Sequence, residues 1–321
     1  VAGPILRAAE VIPQFKNRVK FSIDYISIGI RRIIYGLFLK VVLADNISPL
    51  VDSGYSMQLE TMSALDVWTL SFLFGFQIYF DFSAYSHIAI GSARLIGISF
   101  PENFNFPYLA RSPKDFWRCW HISLSSWIRD YLYLPLTGTK VVKPGSSEGG
   151  LEKAVTQERK NKALFITWAI MGLWHGANWT FVMWGLYHAF WIFLFRVSSK
   201  FSLVKKFLKS SFRSFLLTLP VMMLGWIPFR AQSISDTYLM WSKVLNLKEY
   251  TYLSMRENSY LIAAIILLGF LITFAISSKN TKLLAPKIGL IKGLEVMLLI
   301  FMIPFILIFL RPISQFIYFQ F

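Results

Sequence analysis

The chain has 321 residues, 55% hydrophobic and 17% aromatic but only 16% charged. With a mean hydropathy of +0.51, that balance excludes an ordinary soluble domain, which needs far more polar surface. The net charge of +16 would suggest nucleic acid in a soluble protein, but here the cations lie between apolar runs and read as positive-inside loops on an anionic leaflet.

Membrane spans need about 17–25 mostly apolar residues. The first such run covers residues 21–44 and is interrupted by Asp24, Arg31 and Arg32. A second covers 65–82, and a less regular one continues to 98. Residues 99–129 are polar, aromatic and basic, and 140–162 form a hydrophilic stretch predicted to be a cytoplasmic loop. Residues 163–195 are too long for one crossing and short for two, so they predict a tight or re-entrant hairpin turning near Gly176–Asn178. Runs at 212–229, 260–276 and 294–310 complete the set, and no internal repeat is visible. The pattern predicts one all-α, multi-pass membrane domain over 1–321.

Charge orients these runs. Residues 7–20, 94–129, 196–213 and 279–292 are basic, whereas 46–61 hold Asp52 and Glu60 but no Lys or Arg. With the basic connections cytoplasmic, the 163–195 hairpin is entered and left from the cytoplasm, and His175 lies at membrane depth. An ionisable group there is by default a functional candidate. Gly172 and Gly176 make room beside it for backbone or ligand, Asn178 adds a polar group, and Trp174 and Trp179 are expected to wall a cavity.

Three other histidines exist: His87, His121 and His188. His121 follows Asp115 and Arg118 and precedes Arg129 and Asp130, amid tryptophans and serines. An interfacial aromatic belt accounts for those tryptophans, but less well for Asp115, His121 and Asp130. His188 falls on a different helical face from His175 and reads as a supporting or structural residue. His87 sits in a polar run with Asp81, an interior wall more than a catalytic group. The single cysteine, Cys119, rules out an internal disulfide or a multi-cysteine zinc site, and no H-E-x-x-H motif, nucleophile elbow or P-loop occurs. No metal or bound cofactor is expected.

The run Phe116-Trp-Arg-Cys-Trp-His-Ile-Ser-Leu-Ser-Ser-Trp-Ile-Arg-Asp-Tyr-Leu-Tyr-Leu-Pro135 resembles the signature of the membrane-bound O-acyltransferase family, in its alginate O-acetyltransferase-like branch. Residues 1–7, 79–86, 101–107 and 171–179 agree with it. Cys119 departs from the basic residue usual at its position. The resemblance implies a many-helix fold with a central tunnel and re-entrant or short helices, in a bacterial inner membrane. It also implies further helices before Val1, and we expect the chain to be N-terminally incomplete. It maps the family's histidines onto His175 and His121. By the same resemblance, acetyl-CoA is the donor, attracted by Arg111, Lys114, Arg118 and Arg129. A hydroxyl is the acceptor, on an extracytoplasmic acetyltransferase partner that modifies an exported polysaccharide. A sister branch moves D-alanine to teichoic acid. A non-catalytic polysaccharide transporter or scaffold is the rival from another class.

Overall fold

The computed structural model describes residues 3–16, 22–139, 156–278, 288–312 and 315–317. Among these there are helices and no strand, as expected where lipid leaves every backbone polar group to be satisfied within the chain. In chain order the α-helices are α1 (Ala8–Lys16), α2 (Ile23–Leu37), α3 (Asp45–Tyr55), α4 (Ala64–Leu95), α5 (Pro113–Cys119), α6 (Ile122–Ile128) and α7 (Leu134–Thr137). They continue with α8 (Gln157–His175), α9 (Trp179–Ser198), α10 (Ser202–Leu208), α11 (Ser211–Leu224), α12 (Ile227–Arg230), α13 (Ile234–Leu245), α14 (Glu257–Ser278) and α15 (Ile288–Phe309). By length and composition, Trp179–Ser198, Ser211–Arg230 and Glu257–Ile276 can each cross a membrane. The contacts divide the chain into two units, one of residues 1–105 with 242–321 and one of 106–241.

In the first unit, α4 corrects the sequence reading. The polar run at residues 81–87 does not interrupt the helix, which continues for 32 residues, about 48 Å at 1.5 Å per residue. Ser63 and Asp66 form a reciprocal capping box that fixes its start. Further along, three of its polar side chains have partners: Asp81 accepts from Lys40 at 2.7 Å, Ser86 from Asn103 at 3.1 Å, and His87 lies 3.1 Å from Arg32. The polarity that looked like a break is therefore met, around the helix, by polar and charged neighbours. Lys40 belongs to a π-helical segment, Phe38–Ala44, joining α2 to α3. It is 2% exposed, pairs with both Asp81 and Asp45, and lies over the Phe316 ring. Asp81 also accepts the Ile317 backbone N–H at 2.7 Å, so the end of the chain is tied to this buried pair.

In the second unit, α8 and α9 make the predicted hairpin, breaking at Gly176. Both arms run longer than the apolar pattern suggested. The first starts at Gln157, inside the stretch read as loop, because Thr156 caps it through the Arg159 N–H and charged residues are good helix formers. The rest of that loop, 140–155, lies outside the described residues. Close approach of the two arms depends on glycine: a Cβ on Gly185 would fall 2.1 Å from the Trp168 carbonyl oxygen, and one on Gly172 2.2 Å from that of Phe181. Small residues at such crossings let backbones touch where lipid supplies no hydrophobic drive. The room beside His175 is thus taken largely by the neighbouring helix. Gly185→Ala is expected to lower stability by about 1–3 kcal/mol, read as earlier thermal aggregation in detergent. Gly269→Ala, with nothing within 4 Å of its Cβ, is the matched control and should be neutral or stabilising.

Candidate active site

The predicted histidines His121, His175 and His188 all fall in the second unit. His175 ends α8, half-buried, and its ring meets three aromatic rings edge-on: Trp174 and Trp184 at 4.9 Å and Phe229 at 5.3 Å between centroids. Phe229 comes from α12 and Trp184 from α9, so the imidazole is walled by residues distant in sequence. His121 is 3% exposed and near enough to His175 for the two imidazoles to interact electrostatically. It takes a left-handed conformation (φ 43°, ψ 55°) at the start of α6, where its carbonyl accepts the Ser125 N–H at 2.9 Å. A non-glycine residue held there costs of order 1–3 kcal/mol, and such strain gathers at functional sites.

His188 is fully buried on α9. Its ring lies 5.0 Å from Trp117, 5.1 Å from Trp184 and 5.7 Å from Trp168. Spacing put His188 and His175 on different faces; the break at Gly176 and the fold of the hairpin bring both against Trp184.

A cleft of about 470 Å³ opens beside this cluster, between α5–α6 on one side and α8–α9 on the other. Lys114, Arg118, Arg129 and Arg196 line it, with Trp117 and Trp168 among its apolar walls. Those two indoles pack edge-on at 4.6 Å, and both touch His188. The cleft thus passes from four cations to a tryptophan floor, whose other side reaches Trp184 and, through it, His175. Four cations beside an aromatic slot suit a ligand with phosphate groups and a long neutral arm.

Several predicted supporting residues have other duties. Asp115 accepts from the Ser112 hydroxyl at 2.7 Å at the start of α5 and lies 3.6 Å from Arg118. Asp130 is buried and accepts from Arg129 at 2.7 Å, which sets that guanidinium at the cleft. Asn178 caps α9 through the Thr180 N–H at 3.0 Å and donates to the Gln232 carbonyl at 3.5 Å. Trp179 is 72% exposed and lines a separate apolar groove, and Trp174 is 47% exposed. The expected aromatic wall is therefore corrected: Trp184 and Phe229 supply it, with Trp174 at the edge. Cys119 is half-buried, and burial together with the Asp115 carboxylate pushes its thiol pKa up, which opposes a role as thiolate nucleophile.

Sequence reasoning passed over Trp184, Trp117, Trp168 and Arg196. The i, i+4 spacing of Trp184 and His188 on one apolar helix was the available signal. Trp117 stood in the signature run but read as part of an interfacial belt, and nothing local marked Trp168.

A buried histidine beside a half-buried one, strained backbone and a cation-lined cleft within one helical membrane protein fit an acyl-transfer class. The membrane-bound O-acyltransferase (MBOAT) family matches residues 1–229, and the chain belongs to it. It is 35% identical to a probable alginate O-acetylase of Azotobacter vinelandii, over 85% of this chain and 51% of that protein. It is 32% identical to a peptidoglycan O-acetyltransferase of Helicobacter pylori, over 100% of this chain and 62% of that protein. A teichoic acid D-alanyltransferase of Bacillus subtilis is 31% identical, over 59% of this chain and 46% of its own. The chain spans about half the length of the curated relatives it matches.

Proposed function

We propose that this chain carries the reaction centre of an O-acyltransferase in a bacterial inner membrane. An acetyl group moves from acetyl-CoA, on the cytoplasmic side, toward hydroxyls of an exported polysaccharide such as alginate, by way of an extracytoplasmic acetyltransferase partner. The observation that carries this reading is the cation-lined cleft whose tryptophan floor leads to His175. The phosphates of the donor pair with Lys114, Arg118, Arg129 and Arg196, and its neutral arm lies along Trp117 and Trp168. His175 takes the proton of the acceptor hydroxyl as that oxygen attacks the thioester carbonyl. The C–O bond forms, the carbonyl electron pair moves onto oxygen, and on collapse the C–S bond breaks. The thiolate leaves and takes the proton back from the imidazolium. His121 positions the donor beside His175.

Lys114→Gln combined with Arg118→Gln tests the cleft without touching the core, since Lys114 is exposed and the Arg118–Asp115 pair is largely solvated. Exposed ion pairs of that kind contribute about 0–1 kcal/mol to stability. The expected result is a roughly tenfold rise in the KM for acetyl-CoA, worth about 1.4 kcal/mol, with kcat unchanged and the difference shrinking at high salt. An unchanged KM would remove the donor from this cleft. D-alanyl transfer is the alternative favoured by the Bacillus subtilis relative. Transfer from a D-alanyl carrier protein, with acetyl-CoA inert, would select it.

A further inference from the structure

Around His188, between His175 and the cleft, lie polar atoms for which the described residues supply no partner. The Trp184 indole N–H is buried without an acceptor, and so are those of Trp117 and Trp226. Both ring nitrogens of His188 and the hydroxyl of Thr167 are in the same condition. Trp184 is 1% exposed and His188 fully buried. These are not scattered defects. Trp117, Trp184 and Trp226 all lie in ring contact with His188. Each buried polar group left unsatisfied costs about 1–3 kcal/mol, and a native fold keeps few of them. Trp184 is the shared member, edge-on to His175 at 4.9 Å and to His188 at 5.1 Å.

We infer that the Trp184 indole N–H, with the His188 imidazole beside it, forms a buried seat for the carbonyl oxygen of the transferred acyl group. The chemistry of the lining selects that ligand. An indole N–H only donates, so its partner is an acceptor atom, such as a carbonyl oxygen. The surrounding walls are largely aromatic and hold no carboxylate, lysine or arginine among the rings in contact with His188, which suits a small neutral acyl group. In the step proposed above, the carbonyl electron pair becomes an oxyanion. A fixed N–H donor in a water-poor site stabilises that charge more than it stabilises the resting carbonyl. Asn178, the polar group nearest in sequence, is already committed to capping α9. Trp184 is thus assigned a direct catalytic contact, and His188 is a positioning residue that supports it.

This inference rests on the acyl-transfer reading, and the experiment separates the two. Labelled acetyl transfer is measured in membranes carrying the full chain, with Trp184 replaced by benzothienylalanine. Sulfur then stands where the N–H is, and the ring keeps its shape. We expect kcat to fall roughly 10²–10³-fold with the KM for acetyl-CoA held. His188→Phe should lower kcat and His188→Asn should restore part of it, a rescue that packing alone would not give. If the benzothienyl variant keeps wild-type kcat while His175→Ala is inactive, Trp184 only packs and the inference is overturned. A rise in KM with unchanged kcat would place the N–H on the resting donor or on a water, and also overturns it. Wild-type transfer by His175→Ala would instead remove His175 as the base, and no labelled transfer by the wild-type chain would remove the acyl-transfer reading itself.

Discussion

His175→Ala is expected to lower acetyl transfer by roughly 10²–10⁴-fold, the usual contribution of a positioned general base. Protein level in the membrane and secretion of the polymer should stay as in wild type. The structure explains why the loss should be chemical. The residue closes α8 at a half-buried position, where no helix continues past it. The close approach of the two arms is held elsewhere, at Gly172 and Gly185. Labelled acetyl-CoA followed into the acceptor, with polymer yield measured in parallel, gives the answer. A fall in secretion with normal acetylation of what is secreted would favour a transporter. A silent substitution would favour a scaffold. His121→Asn is the companion variant, because asparagine tolerates the left-handed backbone. Lost transfer there reports on the imidazole more than on the turn.

The largest effect on stability is expected at Asp81. Its carboxylate is 4% exposed and accepts from Lys40 and from the Ile317 N–H, both at 2.7 Å. Asp81→Leu takes from the buried ammonium its shortest-range carboxylate partner, leaving Asp45 at 2.9 Å and the Gln315 carbonyl at 3.5 Å, and takes the acceptor from the Ile317 N–H. Breaking a buried pair by removing one partner costs about 3–5 kcal/mol. Replacing both with apolar groups of similar size is far milder, so Lys40→Met with Asp81→Leu should recover most of that loss. Thermal aggregation of the detergent-solubilised protein measures both variants. Equal damage in the single and double variants would mean that the charge pair is not what holds this part of the unit.

The spans were legible because apolar runs of crossing length have one use in a chain this hydrophobic. Their ends were less so. Charged residues at 157–162 looked like loop, yet Thr156 caps them and they continue as the first turns of α8. Lys40 went unremarked among apolar neighbours although it is an intramembrane charge, and its partners Asp45 and Asp81 are brought to it by a π-helical segment and a long helix. The predicted continuation of irregular structure to residue 98 failed for the same reason. A polar run reads as a break until the groups that satisfy it are known.

By itself the sequence determined a helical membrane protein, a hairpin turning at Gly176–Asn178, and His175 and His121 as the groups to examine. Composition, charge alternation and motif are local properties, and local properties were enough for these. Only the tertiary structure decided what surrounds His175. The helix phase resets at the break, leaving Trp179 exposed and setting Trp184 and Phe229 against the imidazole. It also joined four cations from α5, α9 and the segment after α6 into one cleft, and it collected buried indole and imidazole nitrogens that no group among the described residues satisfies. Which ring faces which is set by the packing of helices distant in sequence, and no spacing along one helix encodes it.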